Sequence, residues 1–213
     1  MQKLISIIPR RQDYSRAAFR TYYETRHTPL ALKYLRKFRK YVRNHLSLTR
    51  AGEAPFDVLT EFWYTDKMEA LVTTDEVAQR LKEDEIAFMD REGTVYFDVA
   101  ESLLAGPPRG VEPAVSAKLM LLLKRNPEYE QSAFLADLPR LLQNGADEVL
   151  RVTLDLPQVT PDAKGVPPAD AFLSLWPLSP DLDLRLGPLP PTIASCLPLW
   201  VDAHETAPAN LND

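Results

Sequence analysis

The sequence predicts an α+β protein made of two tandem ferredoxin-like βαββαβ units packed sheet to sheet. Three observations lead there. The chain repeats itself weakly, with Lys3 of KLISIIPRR answered 115 residues later by Lys118 of KLMLLLKRN. Proline and charge change abruptly near residue 106. Each half also alternates short β-branched or apolar runs with amphipathic runs of helical period.

The repeat continues beyond its first strand. YSRAAF, ending at Phe19, is answered at the same offset by EQSAF, ending at Phe134. YVRNHL (41–46) is answered by VLRVTL (149–154), and LTEFWYTD (59–66) by FLSLWPLS (172–179). The offset is shorter there, so the second half has lost residues between its first helix and second strand, where the counterpart of RHTPL would lie. Of 19 prolines, only Pro9, Pro29 and Pro55 precede residue 106, and 17 of the 25 Lys and Arg residues do. AGPPRGVEP reads as a linker. The expected division is a first unit over 1–106, a linker over 107–115 and a second unit over 116–213.

In the first half KLISII is a strand, and Ser15 is a good N-cap for the helix AAFRTYYETR. Thr28 can cap a second helix with Pro29 at its first position, where the missing N–H costs nothing. YVRNHLSLT is the next strand. GEAPFD is a turn, and VLTEFWYT is the neighbouring strand. DEVAQRLKEDEIAFMD opens with acidic residues and carries Val77, Leu81, Ile86 and Met89, which predicts a helix. TVYFDVAESLL closes the unit. Helices on one face leave the other sheet face bare, and two such halves cover each other by packing bare face on bare face.

Composition narrows the function. The 213 residues suffice for one large domain or two small ones with a real core. Net charge is -5, which gives no electrostatic case for nucleic acid. The one cysteine, Cys196, fits a reducing compartment. No signal peptide or membrane span is readable, so a cytoplasmic protein is expected. KYLRKFRKYVR is basic with interleaved aromatics, but VLTEFWY lacks the glycine-containing pattern of RNA-binding sheets and carries Glu61. It reads as a solvated helix end whose charge can also draw an anionic substrate. Three histidines and one cysteine, far apart, have no metal-ligand spacing. With seven glycines there is no phosphate loop, and there is no Gly-x-Ser-x-Gly elbow. No metal and no cofactor are expected. Acid/base work by His, helped by Tyr, Asn, Asp or Glu, is what remains.

Two places stand out for such work. His27 falls in the joint between the two predicted helices. There it either caps the first helix, where a cation suits the dipole, or stands clear of regular backbone as a proton carrier. Asn44 and His45 sit back to back in mid-strand, where a structural strand prefers Val or Ile. Alternation places Val42, Asn44 and Leu46 toward the helices, and Tyr41, Arg43 and His45 toward the other half's sheet. A solvated edge strand also accounts for this pair. WVDAHETAPANLND, with His204, reads as a fraying tail.

The aromatic of AAF, the His-x-Pro-Leu of His27 to Leu30 and the Tyr-Val-x-Asn-His of Tyr41 to His45 together resemble the EthD family of the dimeric α/β-barrel superfamily. The likeness spans about the first 105 residues; the second half resembles the fold without either motif. The resemblance implies that the two units join through their sheets into a barrel. Superfamily relatives are cofactor-free cyclases, dehydratases, decarboxylases, lactone isomerases and quinone-forming monooxygenases; other members have no established activity. It further implies His27 and His45 as catalytic residues, with Tyr23, Tyr41 and Asn44 lining the pocket. The ligand is then a small hydrophobic or aromatic molecule, with no nucleic acid, no membrane, and room for a homodimer of such pseudo-dimers. The alternative is a non-catalytic ligand-binding or accessory protein of the same fold.

Overall fold

Strand β1 (Gln2–Ile8) is apolar almost throughout because both of its faces are covered. Ile5 and Ile7 point one way into a core with Leu46, Leu59, Phe97 and Phe172, while Ile8 packs the other way against Phe19, Tyr23 and Phe88. The computed structural model describes residues 2–34, 38–50, 53–64, 74–108, 110, 115–142, 146–158, 160, 163–179 and 186–211. Residues 35–37 of the basic segment and 109 and 111–114 of the linker lie outside the described residues.

After β1 come helix α1 (Arg16–Tyr22), a π-helical turn (Tyr23–His27) and α2 (Thr28–Tyr34). Ser15 caps α1 as its sequence predicts, its side chain accepting from the Ala18 N–H at 3.1 Å. Strands β2 (Phe38–Leu46) and β3 (Val58–Tyr64), helix α3 (Asp75–Phe88) and β4 (Val95–Ala105) complete this half. The second half runs β5 (Val115–Arg125), α4 (Gln131–Asp137), β6 (Val149–Pro157), β7 (Ala171–Pro177) and β8 (Ile193–Glu205). Beyond α4 only short 3-10 turns (Leu138–Leu142, Ala146–Glu148 and Pro208–Asn210) are found here, and no second α-helix is found among the described residues, contrary to the repeat. The described link between β7 and β8 carries Pro188, Pro190 and Pro191, which cannot donate to helical hydrogen bonds.

All eight strands form one closed antiparallel barrel in the order β1-β3-β2-β8-β5-β7-β6-β4. The first half contributes β4-β1-β3-β2 and the second β8-β5-β7-β6. Two seams between the halves close it, β2 on β8 from Val42↔Glu205 to Leu46↔Val201, and β4 on β6 from Val99↔Pro157 to Ala105↔Val152. The inner faces do meet, as expected, but the sheets also join edge to edge, so no strand edge is left open. Residues 200–205 of the segment expected to fray are therefore the last part of β8, and Arg43 and His204 stand opposite one another in its ladder with β2. No described helix is long and apolar enough to cross a membrane.

The barrel interior is apolar at one end and ionic at the other. Lys3 Nζ lies 2.7 Å from Asp155, 2.5 Å from Glu101 and 3.1 Å from Glu61, and Lys118 Nζ lies 2.5 Å from Glu61. The repeat is visible here: Lys3 stands over the Trp63 ring at 4.5 Å and Lys118 over Trp176 at 4.9 Å. Burial pushes the Asp155 carboxyl up to about 6, against the pull of Lys3. Asn44 belongs to this cluster, donating to Glu61 at 2.8 Å and to the Leu59 carbonyl at 2.9 Å. The two faces of β2 are thus the reverse of the sequence expectation. Asn44 and Leu46 look into the barrel, while Tyr41 and His45 meet the helix side. Glu61 and the Leu59 carbonyl supply the amide's partners, and on the other face Tyr41 stacks on Phe62 and bonds to the Tyr23 hydroxyl.

Glu61→Ala withdraws the carboxylate that two buried lysines share. We expect it to cost about 3–5 kcal/mol of stability, as loss of one member of a buried ion cluster does. Urea unfolding measures this, and a loss below about 1 kcal/mol would contradict the assignment.

Candidate active site

The helix is not broken at ETRHTPL. Thr28 has φ -59° and ψ -47°, right-handed helical values, so it is not the extended cap that the sequence suggested. Its N–H bonds back to the Tyr23 carbonyl, five residues away. In an α-helix Pro29 would lose its own bond and press on the preceding turn. The wider π turn takes in one extra residue and lets the helix pass the proline. It also leaves Tyr23 and His27 buried together, ring edge to ring face, 4.8 Å apart.

His27 is held from α3. Its Nδ1 is 2.7 Å from Asp84 Oδ2, and the Tyr22 hydroxyl donates to Asp84 Oδ1 at 3.0 Å. Nε2 has no hydrogen-bond partner among the described residues. A carboxylate on Nδ1 fixes the ring and favours the tautomer with Nδ1–H, which leaves Nε2 as the basic nitrogen. Asp84 was not foreseen. Its signal was there: it lies three residues after Leu81 and four before Phe88, the two buried residues of α3, so a carboxylate occupies the apolar stripe. The expectation that Ile86 belongs to that stripe is wrong; Ile86 is half exposed.

A cavity of about 630 Å³ opens between these helices and the outer face of β1 to β4. His27 lines it, with Leu4, Ile8, Phe62, Tyr23 and Tyr41 among the apolar and aromatic walls. Tyr41 donates its hydroxyl to that of Tyr23 at 3.2 Å. Burial pushes both phenols up, Tyr41 to about 12 and Tyr23 well above its ordinary value, so both remain neutral donors. Glu85, Arg91 and Glu92 edge the cavity, and Lys164 reaches it from the second half. Lys164 stands on the β6–β7 connection, which crosses onto β4, so the second half contributes to the lining of this cavity.

His45 does not line the cavity. It is buried on the other side of the π turn, its Nε2 2.7 Å from Glu24 Oε1. Tyr23 touches both imidazoles, lying 5.4 Å from the His45 ring. Arg43 Nη2 donates to Glu24 Oε2 at 2.7 Å, and His204 Nδ1 approaches the same oxygen at 3.6 Å. Burial works against ionisation of Glu24, but the hydrogen bonds from His45 and Arg43 win and bring it down to about 2. Burial lowers His45, and lowers His204 to about 4. The structure therefore gathers His27, Tyr23 and Tyr41 at the cavity, puts His45 behind Tyr23, and leaves Asn44 inside the barrel. Among the described residues, no group of three or more His, Cys, Asp or Glu is placed to hold a metal ion.

Residues 11–92 match the family model described as EthD domain. Similar solved structures include an anthrone oxidase-like protein at 9% identity and TM-score 0.62, covering 99% of this chain and 95% of that one. A putative monooxygenase from Fusobacterium nucleatum matches at 8% identity and TM-score 0.54 over 95% of this chain and 92% of that one. One from Lactobacillus acidophilus matches at 7% identity and TM-score 0.50, over 95% and 93%. Identities this low establish the fold, the dimeric α/β barrel, and not a reaction. No curated protein matches the chain in sequence.

The His204 shift has a readable consequence. The folded state holds this imidazole neutral down to about pH 4, whereas the unfolded chain takes up the proton near its ordinary value of 6.5. Its contribution is present above 6.5 and is lost as pH falls through 4. His204→Phe should flatten the fall in stability between pH 7 and 4.5; urea titrations at both pH values that show the same fall in variant and parent would refute this.

Proposed function

We propose that this dimeric α/β-barrel protein, with its EthD-matching first half, is an acid/base enzyme of lyase or isomerase type. In this reading it works without a cofactor on a small, largely apolar aromatic or polyketide-like molecule. One observation carries the proposal: an imidazole clamped at Nδ1 by Asp84 lines a largely apolar cavity that also holds a neutral tyrosine pair. A histidine that served only to cap a helix would need neither the carboxylate nor the cavity.

The chemistry follows from the geometry. A C–H next to a substrate carbonyl loses its proton to His27 Nε2, and its electron pair moves onto the carbonyl oxygen as an enolate. The imidazolium formed is stabilised by the Asp84 carboxylate on its other nitrogen. Tyr23 accepts from Tyr41, so its own O–H is left to donate to the enolate oxygen. Return of the proton to another atom isomerises the substrate; return to a leaving hydroxyl eliminates water. Exclusion of bulk water by the apolar walls strengthens each of these interactions.

His45 acts at one remove in this reading. Through Glu24 it holds the π turn that carries both Tyr23 and His27. We read the barrel itself as two ferredoxin-like units, 1–106 and 116–213 joined by 107–115, of which the second carries no counterpart of His27 or His45.

His27→Ala should lower kcat/KM by about 10²–10⁴-fold with the fold retained. Asp84→Asn leaves the ring in place but reverses its tautomer preference, and should cost about 10²-fold or more. His45→Ala should cost less. Steady-state turnover of an enolisable aromatic substrate, with circular dichroism of each variant, measures these effects. Full activity in His27→Ala would refute His27 as the proton carrier, and saturable binding of such molecules with no turnover by the parent would favour the accessory-protein reading.

A further inference from the structure

We infer that Lys164, assisted by Arg91, selects substrates bearing an ionised carboxylate, held at the cavity rim with the apolar body inside. This rests on the reading of the cavity as the active site.

Lys164 is fixed in place before any ligand arrives. Its N–H donates to the Tyr96 carbonyl at 2.9 Å and its carbonyl accepts from the Tyr96 N–H at 3.1 Å, an isolated antiparallel bridge onto β4. Gly165 follows with φ +78°, and a Cβ there would come within 3.1 Å of Val95. A side chain at 165 would be strained by the positive φ and tight against Val95, so glycine suits this close approach to β4. The connection from the second half is thus laid down on the first, and its lysine arrives at the cavity in one register.

The charge of Lys164 is unspent. It is half-buried, and its Nζ donates to the Arg91 carbonyl. It makes no ion pair with a described carboxylate. Arg91 uses Nε on Glu85 at 2.6 Å, and its two terminal nitrogens have no partner among the described residues. Two donors therefore converge on one rim of an otherwise apolar cavity. An ammonium held at an apolar opening favours an anion that arrives with the ligand. Glu85 and Glu92 edge the same rim, so the site suits a singly charged carboxylate better than a dianionic phosphate. A body of several fused or linked rings suits a cavity of about 630 Å³.

The test uses the full chain and two probes of one shape, anthracene-2-carboxylate and anthracene-2-carboxamide, followed by calorimetry. The carboxylate should bind about tenfold or more tightly, the scale of one charge-assisted hydrogen bond. Raising the salt should narrow the gap. Lys164→Met should abolish the preference and keep the amide's affinity, while Lys164→Arg should keep the preference. Equal binding of the two probes, a preference that survives Lys164→Met, or no saturable binding of either probe would overturn the inference. His27→Ala should lose turnover and keep the preference. A preference without any His27-dependent turnover would count against the acid/base reading and leave Lys164 its role.

Discussion

The closure of the barrel governs everything else. Strand β2 would be an open edge in the first half alone, and so would β4. Each is completed by a strand of the second half, β8 and β6 respectively. Once these ladders form, inside and outside are fixed for every strand, because the side-chain period is two. The inside must then be filled from both halves at once. Lys3 and Lys118, equivalent by repeat, meet there over a shared Glu61. The outside must be covered by helices, and in the first half that cover is incomplete enough to leave a cavity.

The π turn decides what the cavity contains. A regular helix would send Tyr23 and His27 along its own stripe and would fail at Pro29. Widening by one residue accommodates the proline and gives two adjacent positions opposite duties. Tyr23 and His27 turn to the cavity, and Glu24 turns to β2, where Arg43 and His45 receive it. The turn is thus tied on one side to α3 through Asp84 and on the other to the seam between the halves. A local departure from helical geometry needs such surrounding restraint to persist.

What the sequence made legible follows from how local the signals are. The strands beginning at Lys3 and Lys118 and the Ser15 cap rest on short-range patterns, and all were readable; the turn at His27 was read as a break, because Pro29 signals a stop and nothing local signals the extra residue of a π turn. The faces of β2 were not, because both are buried and the usual rule of polar out and apolar in has nothing to act on. Asn44 looked like the exception on an apolar face; its partners come from β3, and the lysines it joins come from β1 and β5. The last strand was hidden because VDAHE is polar, yet its outward residues meet charged groups: Asp202 pairs with Arg20 at 2.5 Å and His204 sits by Glu24. Asp84 was readable in principle from its place on the α3 stripe. Lys164 was not, since a loop of one half reaching the other half's cavity leaves no local trace.

The two halves have diverged in what they offer each other. The second half has lost the stretch between its first helix and second strand that in the first half holds the π turn. It can carry no counterpart of His27, and its outer face is packed instead by Phe134, Leu138 and Leu141 against β5 to β7. The second half still acts on the first. Here it does so at both seams. On β8 it sets His204 against the residue that anchors the π turn, and beyond β6 it brings a lysine to the cavity rim. A separate identical partner would have to bring its own helices and its own cavity to make those contacts. Covalent linkage lets one half fill its outer face with side chains while the other keeps a cavity lined from both.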